Sequence, residues 1–117
     1  MTIRRIKTNK RMSQAVVHGN TVTTAGQVAQ NAPGGSAAEQ TTDILAAIDA
    51  LLAEAGSDKS KLISTTIWLA DMGDFAEMNS VWDAWVVPDQ TPARACVESK
   101  LAAPQFTVEI AVVAAVD

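Results

Sequence analysis

The sequence predicts an α+β domain in which one β-sheet carries two helices on a single face. Three observations point there. Thr41, Ile44, Leu45, Ile48, Leu51, Leu52 and Ala55 recur at helical spacing. A second helical set, Met78, Val81, Trp82, Trp85 and Val86, lies between β-prone runs. The resulting order is β-β-β-α-β-α-β-β, and helices that recur between strands of one sheet cover one of its faces. The other face is left for solvent or for another subunit.

Length and composition set the frame. The 117 residues suit one domain, residues 1–117, large enough to bury a core without disulfides or metals. No apolar run approaches the roughly 20 residues of a membrane span. The start, MTIRRIKTNKR, has charges but no apolar segment after them, unlike a secretory signal. One cysteine excludes an internal disulfide and fits a reducing, cytoplasmic setting. One histidine and one cysteine are too few soft ligands for zinc, so no metal is expected. A net charge of −4 argues against general nucleic-acid affinity.

The elements follow in order. Arg4, Arg5, Lys7, Lys10 and Arg11 are five of the nine basic residues and suit a solvated edge strand that charge protects from edge pairing. Ala15–His18 and Thr21–Ala25 flank Gly19-Asn20, a hairpin pattern. His18 abuts that turn and reads as a surface residue rather than a base. Ser36 and Glu39 form a capping box for a helix of about five turns that ends at Gly56. Leu62–Leu69 reads as a strand. Asp74 and Glu77 resemble a second capping box, Trp82 and Trp85 are expected to pack on the sheet, and Pro88 ends the helix.

The last quarter carries the chemistry. In a strand from Ala93 to Val97, Arg94, Cys96 and Glu98 share one face, and residues two apart lie roughly 7 Å apart, so Arg94 and Cys96 can line one pocket. Phe106–Ala114 is apolar except for Glu109. A buried, unpaired carboxylate costs several kcal/mol or titrates to neutral, so Glu109 needs compensation, a solvated face, or an ion pair with Arg94. Apolar residues on both faces of this run suggest burial on both sides.

Ser13-Gln14-Ala15-Val16, Gly19-Asn20, Ala25-Gly26-Gln27, Glu54-Ala55-Gly56, Pro92-Ala93-Arg94-Ala95-Cys96-Val97-Glu98 and Val108-Glu109-Ile110 together resemble the Rid family. Rid stands for reactive intermediate deaminase; YjgF and L-PSP endoribonuclease are older labels. The resemblance runs from about Arg11 to the C-terminus, and its Pro-Ala-Arg-x-Cys-Val-Glu motif is specific. It implies a chorismate-mutase-like fold and a homotrimer with clefts between subunits. It further implies cofactor-free hydrolysis of enamines and imines, such as 2-aminoacrylate, to 2-keto acids and ammonia. The family's carboxylate-binding arginine falls on Arg94 and its water-positioning glutamate on Glu109. Cys96, Met12, Ala25 and Gly26 fall at lining positions.

The chemistry suits those residue types. Arginine grips a carboxylate with two parallel hydrogen bonds, and a carboxylate can orient water and take its proton. Two departures mark a divergent subgroup: Met12 stands where the family has a tyrosine, and Ala25 where a serine often precedes Gly-Gln. Two alternatives stand beside deamination: a non-catalytic binder of small 2-keto acids, and the RNA-directed activity of the older labels. Against the second stand the acidic balance and the lack of an acid–base histidine pair.

Overall fold

The computed structural model describes residues 1–117. Six strands form one mixed sheet: β1 (Ile3–Thr8), β2 (Ser13–His18), β3 (Thr21–Thr24), β4 (Leu62–Leu69), β5 (Ala93–Glu98) and β6 (Val108–Ala115). Their spatial order is β1-β2-β3-β6-β4-β5, antiparallel throughout except for the parallel β4–β5 pair. A parallel pair needs a crossover, which α2 (Phe75–Trp85) supplies. The other helix, α1 (Ala37–Ala55), follows β3. Neither helix is long and apolar enough to cross a membrane.

Alternation decides what each strand buries. Along β6, Val108, Ile110, Val112 and Ala114 are buried, while Glu109, Ala111, Val113 and Ala115 are only half-buried. The buried set meets Ile44, Ile48 and Leu52 of α1 and Met78 and Trp82 of α2 in one core. Each such side chain is worth ~2 kcal/mol by removal from water. The second face of β6 is thus uncovered within the chain, although its apolar content suggests burial.

Local signals explain the ends of α1. Ser36 accepts from the Glu39 N–H at 3.1 Å, and the Glu39 carboxylate accepts from the Ser36 N–H at 2.9 Å. Gly56 closes the helix at φ 86°, a left-handed conformation that glycine adopts without a Cβ penalty. These bonds hold the Glu39 carboxyl below its ordinary pKa.

Four expectations need correction. Asp74 makes no side-chain cap bond, and Glu77 instead accepts from the Ala38 N–H at 2.7 Å. It bridges to the positive end of α1 rather than closing its own box. Trp85 packs at the margin of the core rather than within it, and its indole N–H donates to Asp49 of α1 at 3.1 Å. Lys10 and Arg11 fall in the turn after β1, so only part of the basic stretch is edge strand. The last strand begins at Val108 rather than Phe106, because the Thr107 N–H donates to the side chain of Gln40.

Candidate functional site

Glu109 opens the site. It pairs with Trp68 on the uncovered face of the sheet. Beyond β3 the chain returns to β6 through one isolated bridge, in which the Gln27 N–H donates to the Ile110 carbonyl at 2.8 Å and the Ile110 N–H to the Gln27 carbonyl at 3.1 Å. That bridge lays Gly26 against the Glu109 carboxylate. A Cβ at position 26 would sit 2.0 Å from Glu109 Oε2, so any side chain there would displace the carboxylate. The carboxylate has no ion-pair or hydrogen-bonding partner in the chain, and burial pushes its pKa above the ordinary 4.5.

An open cleft of roughly 670 Å³ runs past this carboxylate, with Met12, Gln14, Gly26, Gln27 and Lys7 among its lining residues. Met12 is 41% exposed. Its turn is fixed by Asn9, whose side chain accepts from the Arg11 and Met12 N–H groups at 2.7 and 3.0 Å. Ala25 stands behind the cleft: its N–H donates to the Gln14 carbonyl at 2.8 Å and its carbonyl accepts from Gln27 Nε2 at 3.1 Å. Lys7 has φ 51°, which costs a side-chain-bearing residue ~1 kcal/mol.

Arg94 is built differently. It pairs with Thr65, a buried residue on the helix-covered side of β4. Its Nη1 donates to Asn79 Oδ1 at 2.8 Å, and its guanidinium lies 5.8 Å from the Phe75 ring and 5.5 Å from the Trp82 ring. Phe75, Asn79 and Trp82 sit at i, i+4 and i+7 on α2, so one helix face holds the cation. Cys96 lies two residues on, half-buried; burial pushes its thiol pKa up, and Arg94 offsets this only in part. A thiol held neutral is a poor nucleophile.

One chain therefore brings Glu109, Gly26 and Met12 to one cleft, which also reaches Ala47, Ala50 and Leu51 of α1, while Arg94 and Cys96 lie outside it, on the opposite face of the sheet from Glu109. The expected contact between Arg94 and Glu109, as pocket partners or as an ion pair, does not form within the chain. Parity is the reason. Arg94 is level with Thr65 and Glu109 with Trp68, three residues apart on β4 and so on opposite faces. Sequence reasoning also passed over Asn79 and Phe75, and read Lys7 only as one of the basic residues of an edge strand. The i, i+4, i+7 spacing could have revealed the first two; nothing local marks Lys7.

The family model described as Endoribonuclease L-PSP matches residues 2–116. The chain belongs to this L-PSP family. The RutC family protein YoaB of Escherichia coli (strain K12) is 48% identical over 99% of this chain and 100% of its own length. A RutC family protein of Haemophilus influenzae is 46% identical over 97% of this chain and 98% of its own. Among solved structures, a YjgF family member from Neisseria meningitidis superposes with a TM-score of 0.96 at 50% identity, covering 100% of this chain and 97% of that one. The two-helix, six-strand arrangement is thus that of L-PSP family structures, and the Rid resemblance is the same grouping under another label.

Proposed function

We propose that this protein hydrolyses reactive 2-imino and enamino acids to 2-keto acids and ammonia, without a cofactor, in clefts between the subunits of a cytoplasmic homotrimer. The observation that carries this reading is the separation of two complementary half-sites. Glu109 is an unpartnered carboxylate beside a cleft, and Arg94 is a pre-oriented guanidinium on the opposite face of the same sheet. Neither suffices alone. A second copy that seats its Arg94 near this Glu109 completes a site for a molecule with both a carboxylate and a C=N group. Trimer formation also covers Ala111, Val113 and the 44% exposed Val97 on the bare face.

The steps follow from the groups. Arg94 holds the imino acid's carboxylate through its free N–H groups. Glu109 orients a water and takes its proton as the oxygen adds to the C=N carbon, giving a carbinolamine. The proton passes to nitrogen, the C–N bond breaks, and ammonia leaves as the carbonyl forms. Water supplies the only added atoms, so no redox partner is needed. Orientation carries most of the gain.

The test uses imines made in place by an amino-acid oxidase, with imine loss followed alongside 2-keto-acid binding. Glu109→Gln should lower the rate about 10²-fold with binding retained. Arg94→Lys should weaken both, since an ammonium cannot make the two-bond grip. If the wild type turns over no imine yet binds 2-keto acids through Arg94, the protein is a binder and the enzymatic reading fails.

A further inference from the structure

Lys7 is one of two non-glycine residues with positive φ, the other being Asp89. It lies inside a strand whose pairing keeps step on both sides, Ile6 with Ala15 and Thr8 with Ser13. No bulge explains the left-handed backbone, so the strain is confined to the residue that the cleft receives. Strain of this kind persists where it aims a group.

The surroundings say what the group meets. Lys7 and Glu109 are the only charged residues lining the cleft. The chain's single salt bridge joins Lys61 to Asp117, so Lys7 has no carboxylate partner. Gln27 uses its amide donor on Gln14 Oε1, at 2.9 Å, and on the Ala25 carbonyl, at 3.1 Å. Lys7 therefore stands as the cleft's free cation. Met12 lines the same cleft, an unbranched side chain that suits a short run of methylenes.

We propose that Lys7 makes the cleft selective for 2-imino acids with a second, distal carboxylate. The first carboxylate goes to Arg94 of a neighbouring copy, the imine carbon to Glu109, and the distal carboxylate to the Lys7 ammonium. The assignment rests on the deaminase reading for where the reacting carbon lies; its binding test does not.

The experiment compares calorimetric binding of 2-oxoglutarate and 2-oxopentanoate, which share chain length and differ in the second carboxylate, at low salt. The wild type should favour the dicarboxylate about fivefold, near the upper end for an exposed ion pair. The preference should shrink as salt rises. In Lys7→Gln and Lys7→Gly the ratio should fall to about one, while Lys7→Arg retains it. The glycine variant also relieves the strain of the positive φ, so it keeps the backbone conformation while removing the whole side chain, and Lys7→Gln isolates the charge. A wild type without preference overturns the proposal, as does a Lys7→Gln that weakens both acids equally. The two readings fail separately. Preference in binding without turnover of any imine sinks deamination alone; turnover indifferent to the second carboxylate, with equal binding, sinks this proposal alone.

Discussion

Gly26 and Glu109 behave as one unit, since the absent Cβ of the first is the space that the second occupies. Gly26→Ala should fold, because the bridge between Gln27 and Ile110 is made by backbone alone. It must displace the carboxylate, and imine hydrolysis should drop about as far as in Glu109→Gln, about 10²-fold. Steady-state rates check this; wild-type activity in Gly26→Ala would remove Glu109's placement from the mechanism. The sequence exposes Arg94 and Glu109 as candidates because Arg94 is the one cation and Glu109 the one charge in their β-prone runs. It does not show their relation. Alternation within a strand is legible, but which alternate set faces the helices depends on register with β4, set by partners far along the chain. Lys7 was hidden for a different reason: its positive φ has no glycine or asparagine to announce it.

Gln40 shows how an element holds the site's surroundings. It is fully buried in the first turn of α1, donates to the Gly35 and Gln105 carbonyls at 2.9 and 3.0 Å, and accepts from the Thr107 N–H at 2.9 Å. One side chain thus ties the loop before α1 to the segment that leads into β6. Gln40→Leu fills similar volume but strands three backbone groups. We expect a loss of about 2–3 kcal/mol, read as a lower urea midpoint at unchanged slope. An unchanged midpoint would mean that water replaces the amide. The capping boxes mark the limit of local reading. Ser36 and Glu39 find each other within one turn. Glu77 has the same spacing from Asp74, yet takes a donor from the other helix. Spacing alone cannot rank a tertiary partner against a local one.

At the scale of the whole molecule, the proposed trimer would link assembly to protonation. In the single chain, burial raises the Glu109 pKa above 4.5. In the proposed trimer a neighbour's guanidinium brought close would lower it, so the carboxyl would bind its proton more weakly there than in the free chain. Assembly then releases protons, and the trimer should tighten as pH rises from about 4.5 towards neutrality and loosen as pH falls back. Arg94→Gln should flatten this dependence. Light scattering at pH 5 and pH 7.5 on both proteins measures it; a monomer at both pH values, or an equal slope in the variant, would end the shared-cleft reading. Two helices over one sheet were legible in full, since helical spacing and β-branched runs are local. Strand order was not, because nothing local places the last strand in the middle. That position governs how the chain finds its fold. β6 alone touches both β3 and β4. Until it docks, the β1–β3 meander and the β4–β5 pair are separate ribbons, each with a bare edge. The step that joins them closes the long loop between Thr21 and Ala115. Distant pairing of this kind makes folding slow, because loop entropy is lost before any contact repays it. During that wait each bare edge can pair with the matching strand of another copy. The crowding of newly made chains, rather than the stability of the finished one, then decides how much reaches the native state.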